Sequence, residues 1–174
     1  MKRLLPIFLA LLLLPALVLA ESLDVGLLTP ALHEPALQDA EPAALYCGPT
    51  QGAYRHGELA LDPGAPYVYF GQYDCWAMVA LGTPEAMGPV GWVEAAAIDA
   101  PAEPELTFSD ALPVMVEDDT FLTDEPDAGE PAHLFELARG EVVTLLAQYG
   151  DWGYVQTEID GEFIRAFVPA SAIL

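Results

Sequence analysis

The chain has 174 residues and carries 27 acidic side chains against five Lys and Arg, for a formal net charge of −22. A field of that sign repels nucleic acid, anionic lipid headgroups and acidic wall polymers, and it favours a basic partner or bound cations. The same carboxylates also keep a protein soluble in a salty medium, where screening weakens their mutual repulsion.

Residues 1–20 read as an export signal. Lys2-Arg3 precede an apolar run from Leu4 to Leu19 that closes on Val18-Leu19-Ala20, which supplies a charged n-region, an h-region and a small-residue cleavage site. Pro6 and Pro15 interrupt the run, which is short for a bilayer span. Cleavage after Ala20 is expected, with a periplasmic or secreted product. No later segment is apolar enough for stable membrane insertion. Loss of Lys2 and Arg3 takes the −22 to −24 and leaves Arg55, Arg139 and Arg165 as the strong cations of a lysine-free chain.

Residues 21–42 hold Pro30, Pro35 and Pro42 among scattered Ala, Leu and carboxylates, poor material for a regular element, and are expected to form a partly ordered leader. Across 43–99 the pattern becomes short apolar stretches cut by Gly and Pro: Ala44-Leu45-Tyr46-Cys47, Glu58-Leu59-Ala60-Leu61, Tyr67-Val68-Tyr69-Phe70, Trp76 to Leu81, and Val90-Gly91-Trp92-Val93. Their lengths, with β-branched and aromatic residues between turn residues, predict strands. An acidic linker with Pro101 and Pro104 follows over 100–111.

Over 112–174, Leu112 to Val116 regains apolar character, and the same reading gives strands at Thr120 to Thr123, Leu134 to Leu137, Val142 to Leu146, Trp152 to Glu158 and Glu162 to Val168. Asp160-Gly161 between two alternating runs is a hairpin signal, since both turn positions accept positive φ. Asp124, Glu125, Asp127 and Glu130 fit no calcium-loop spacing and read as a solvated loop. Pro169 to Ala172 suits one tight helical turn before Ile173 returns to the core.

The two halves repeat one another. Leu61-Asp62-Pro63-Gly64 through Gln72-Tyr73-Asp74-Cys75-Trp76 aligns without a gap against Leu137-Ala138-Arg139-Gly140 through Gln148-Tyr149-Gly150-Asp151-Trp152. After a one-residue shift, Trp92-Val93 meets Phe167-Val168. A period of about 75 residues exceeds a solenoid unit, so each copy is expected to be a small domain with its own core, 43–99 and 112–174. Five short strands with a final turn suit a small antiparallel barrel, which removes sheet edges. The expected fold is therefore all-β, two small barrels in tandem.

Cys47 and Cys75 both fall in the first copy, where the second has Thr123 and Asp151. In an exported protein they are expected to form a local disulfide. Closing those 28 residues would stabilise by roughly 3.5 kcal/mol in the chain-entropy model.

The pattern Leu137-x-x-Gly140-x-x-Val143-x-Leu145-Leu146, then Gly150-Asp151-Trp152-x-x-Val155, Asp160-Gly161 and Phe167-Val168-Pro169, resembles the bacterial SH3 (SH3b) domain family. That resemblance covers 120–174, and the first copy joins it through Gly64, Trp76, Val79 and Gly91-Trp92-Val93. It implies an SH3-like β-barrel in each copy and a protein- or peptide-binding role in the cell envelope, with Trp76 and Trp152 flooring a peptide groove. Strand alternation adds that if Val155 is core, Trp152 and Tyr154 face the other way. Tyr73, Trp76, Tyr149, Trp152 and Tyr154 are thus the candidate binding residues, an amphipathic aromatic surface.

Catalysis is not expected. Ser22, Ser109 and Ser171 lie in no nucleophile elbow, and His33, His56 and His133 show no metal-ligand spacing with another His or Cys. Glycines form no phosphate-cradling loop, and no cofactor is implied. The function expected is a non-catalytic, exported tandem-domain protein that binds an envelope protein or peptide. The alternatives are an acidic inhibitor or shield of a basic cell-wall hydrolase, and a salt-adapted accessory protein.

Overall fold

A computed structural model describes residues 25–31, 41–55, 57–126 and 133–173. The expected export segment 1–20, His33 and His56 lie outside these residues. The strands in chain order are β1 (Gly26–Leu27), β2 (Ala43–Ala44), β3 (Ala60–Leu61), β4 (Tyr67–Tyr73), β5 (Trp76–Thr83), β6 (Ala86–Glu94), β7 (Leu112–Met115), β8 (Thr120–Thr123), β9 (His133–Leu137), β10 (Val142–Tyr149), β11 (Trp152–Ile159) and β12 (Glu162–Pro169). Short 3-10 helices, Ala95–Ala97 and Ala170–Ala172, follow β6 and β12.

The duplication is visible strand by strand. β4-β5-β6 and β10-β11-β12 are both antiparallel meanders ending in a 3-10 turn. Both first strands bulge at the same place in the repeat, between Tyr69 and Gly71 and between Leu145 and Ala147. Both first hairpins close on a Tyr-Trp pair, Tyr73 opposite Trp76 and Tyr149 opposite Trp152. The 3-10 turns are anchored alike, Ala95 N–H donating to Cys75 O and Ala170 N–H to Asp151 O, each at 2.9 Å.

The expectation of two closed SH3-like barrels is corrected. The strands form one open, mixed seven-stranded sheet in the order β1-β10-β11-β12-β8-β9, with β7 also on β10, together with a three-stranded sheet β4-β5-β6 and a two-stranded sheet β2-β3. The physical reason lies in how the edges are satisfied. β10 gives its free edge to β7 over Val142 to Leu145 and, in parallel, to β1 at Ala147 and Gln148. Among the described residues the three-stranded sheet does not close into a barrel. Its β4 edge is met by single bridges from Ala31 and Glu105, and its β6 edge by Tyr46. Passing segments thus pair the edges that barrel closure would otherwise remove.

Alternation then decides what each face covers. Along β4 and β5, Val68, Phe70, Trp76, Met78 and Ala80 point to one side, and Tyr67, Tyr69, Ala77 and Val79 to the other. Both sides are buried. The second group packs with Leu45, Leu61 and Ile98 of its own half. The first packs on Leu146, Ala147, Tyr154 and Phe167 of the second half, while Val143, Leu145, Val155, Ile164 and Val168 turn into the second half's own core. Each half thus keeps a core of its own, and a third, shared apolar layer lies between their sheets.

Three segments fasten that layer. In the expected leader, Val25 is buried in the second half's core and Leu28 in the shared layer. Residues of the expected linker run along β4, where Gln72 N–H donates to Pro104 O at 2.8 Å and Leu106 N–H to Gln72 O at 2.7 Å. Cys47 and Tyr54 of the first half dock on β12, Tyr54 N–H donating to Phe163 O at 3.0 Å.

The expected disulfide is also corrected, since no bond joins Cys47 to Cys75. Cys47 is buried among the second half's core residues, whereas Cys75 is exposed in the β4-β5 turn. Beside its own core, the first copy has its other sheet face covered by the neighbouring half, burial that a lone small domain would lack.

Candidate functional site

The five aromatics singled out in the sequence gather at the shared layer, but not as a surface. Trp76 and Tyr154 are buried in it, and Tyr149 and Trp152 pack half-buried against it. Alternation turns Trp152 and Tyr154 to the face opposite Val155, and that face is covered by the other half. Tyr154 is 2% exposed, and its hydroxyl accepts a hydrogen bond from Trp92 Nε1–H at 2.7 Å. Burial pushes its phenol above the ordinary tyrosine range, against opposing pulls from Arg165 and the Trp92 hydrogen bond. Tyr73 remains 37% exposed, at the end of the β4-β5 hairpin.

Tyr73 borders an open groove of about 820 Å³ where the two halves meet the 104–111 segment. Its floor comes from one row across three strands, Thr144 on β10 opposite Gln156 on β11, and Gln156 opposite Arg165 on β12. One wall is the hairpin end with Tyr73 and Asp74; the other carries Glu105, Leu106 and Phe108.

Arg165 dominates the chemistry here. It is 8% exposed in a chain of net charge −22, yet among the described residues it forms no ion pair. Its Nε–H donates to Gln156 Oε1 at 3.1 Å, whereas buried Nη1 has no acceptor among the described residues. Four rings surround the guanidinium, with centroids of Phe108 at 5.0 Å, Tyr73 at 5.1 Å, Phe163 at 5.6 Å and Trp92 at 5.7 Å. Ring quadrupoles offset part of the desolvation of a buried cation. They do not supply the in-plane acceptors that its N–H groups need.

Sequence reasoning counted Arg165 among the few cations and passed over its setting. The signal was present: in Phe163-Ile164-Arg165-Ala166-Phe167 the arginine shares a strand face with two phenylalanines. The aligned residue of the first copy is Val90, which is buried in the shared layer.

A second cavity of about 620 Å³ opens beside Phe121 and His133, whose rings stack at 3.7 Å with 19° between planes. Asp119, Glu136 and Glu141 also line it, and it presents no buried group in need of a partner. His133 begins β9. Among the described residues no group of three His, Cys, Asp or Glu side chains could hold a metal ion, and no helix is long and apolar enough to cross a membrane.

No protein-family model, curated protein or solved structure matches the chain. With the open sheets, this leaves the resemblance to the SH3b family without support, and the tandem SH3b function expected from it is withdrawn.

Proposed function

We propose that this is an exported, non-catalytic binding protein that holds its ligand in the groove at Arg165. One observation carries the reading: a guanidinium placed at the floor of an open groove with a buried N–H donor that no group among the described residues accepts. Leaving a charged donor unmatched costs more than leaving a neutral one, so such a group stands ready for a ligand atom. Concave sites with apolar walls and a few convergent polar groups, of roughly 300–1,000 Å³, are the usual form of small-ligand sites, and the groove's volume of about 820 Å³ falls within that range. Export is supported by Lys2-Arg3 and the apolar run to Ala20. A non-catalytic reading is supported by the sequence, in which Ser22, Ser109 and Ser171 lie in no nucleophile elbow and the histidines show no metal-ligand spacing.

The test is a thermal-shift panel of small aromatic and aliphatic acids, amines, amides and sugars, run on the unaltered protein and on Phe108→Ala. At least one chemical class should raise Tm by several degrees, with the rise lost in Phe108→Ala. A panel in which no compound acts, or in which every effect survives that substitution, would remove the groove as the binding site.

A further inference from the structure

We infer that the groove selects a single carboxylate whose remainder is neutral or cationic, an inference that rests on the groove being the binding site. With Nε committed to Gln156, the outer edge of the Arg165 guanidinium is what remains for a ligand. A carboxylate matches that edge with two parallel N–H···O bonds. Neutral amide or hydroxyl oxygens satisfy the donor but leave the buried charge uncompensated.

The surroundings then restrict the rest of the molecule. Tyr73, Phe108, Leu106 and Leu146 give it apolar walls, which suit an aromatic or branched aliphatic body. Asp74 and Glu105 stand in the same lining, and the whole chain carries −22, so a second negative charge is repelled both locally and at long range. A dianion such as a phosphate monoester is therefore disfavoured against a monocarboxylate. An ammonium group beside the carboxylate would face Asp74 or Glu105 favourably. The arrangement therefore fits a zwitterion, such as an amino acid or the terminus of a short peptide.

Three probes that share one ring separate these contributions: phenylalanine, N-acetylphenylalanine and phenylalaninamide. Binding is followed at neutral pH and low salt through the Arg165 Nε–Hε and Tyr73 ring resonances, in a chain with only four arginines. The first two should saturate with shifts at Arg165, phenylalanine binding at least as tightly as its acetylated form, and phenylalaninamide at least tenfold weaker. Arg165→Gln should abolish the preference for the acids, whereas Phe108→Ala should weaken all three together. The ranking on the unaltered protein decides even if Arg165→Gln fails to fold. Equal binding of acid and amide, or shifts that bypass Arg165, would overturn the inference. So would a panel in which only amines or sugars bind, which would leave the groove itself standing; a panel with no binder would remove both. Ala-Ala-Ala-Phe distinguishes the carrier: binding tighter than phenylalanine assigns the groove to peptide ends and weaker binding to small acids, both supporting the carboxylate.

Discussion

Replacing Tyr154 by Phe removes one oxygen and tests whether the shared layer couples the two halves. The hydroxyl accepts the Trp92 Nε1–H bond at 2.7 Å, and Trp92 and Tyr154 are 0% and 2% exposed, so no water replaces it. The substitution leaves the indole donor buried and unmatched, which costs about 1–3 kcal/mol. Against a total stability of order 5–15 kcal/mol this is a large fraction. Trp92→Phe adds a cavity to the lost donor and should cost about 2–4 kcal/mol. The doubly substituted protein should be more stable than the sum predicts by about 1 kcal/mol, because each single change already breaks the same bond.

Urea unfolding followed by tryptophan fluorescence and by far-ultraviolet circular dichroism measures all four corners of the cycle. Trp92 belongs to the first half and Tyr154 to the second, so coincident transitions in every variant are expected if the shared layer couples the halves. A shift below about 0.3 kcal/mol for Tyr154→Phe, or two separated transitions of which only one moves, would refute the coupling.

Gly71 has φ +149, and a Cβ there would meet Pro104 O at 2.6 Å and Leu106 Cγ at 2.8 Å, so Gly71→Ala should cost about 2–4 kcal/mol by displacing the segment that walls the groove; a loss under 0.5 kcal/mol in urea unfolding would count against that close approach. With no disulfide present, Cys75 should react with a disulfide reagent in the folded protein and Cys47 only after unfolding, while reductant leaves Tm unchanged; a fully denatured chain with no reactive thiol would reinstate the bond. Burial, then the charges of Tyr69 and Asp99, push the Tyr67 phenol up to about 12 from 10.0, and burial also raises Tyr69 and Tyr154. The folded state keeps these protons where the unfolded chain releases them, so stability is intact below pH 10 and falls as pH climbs from 10 toward 12, by up to about 1.4 kcal/mol per pH unit for Tyr67, with Tyr69 and Tyr154 acting in the same direction. Urea midpoints at pH 8, 10 and 11.5 check this, and a flat profile would contradict it.

Much of the local structure was legible because it depends on neighbours in sequence. The Asp160-Gly161 hairpin, the strands around Trp152 and the closing turn after Pro169 follow from turn chemistry and alternation, and Asp160 and Gly161 indeed hold φ of +54° and +84°. Alternation also placed Trp152 and Tyr154 opposite Val155 correctly. It could not say what covers the far side. A face rich in aromatics reads the same whether it awaits a partner or has already found one within the chain. The same limit explains the barrels. Edge pairing by Ala31, Tyr46 and Glu105 involves single bridges from irregular segments, which carry no periodic signal.

Duplication also accounts for where the groove arises. Tyr73 and Tyr149 occupy equivalent places in the repeat, yet Tyr149 is packed between Phe70 and Phe167 at 6.0 and 6.3 Å, whereas Tyr73 stands 37% exposed over Arg165. Two like aromatic faces cannot bury every equivalent residue alike when extra segments enter on one side, and here the 104–111 stretch enters beside Tyr73. At the matching strand position one copy keeps Val90 in the apolar layer and the other carries Arg165. The cation therefore sits at the margin of a layer otherwise built from apolar side chains, beside the groove. Departure from the repeat, more than the repeat itself, is what marks the site.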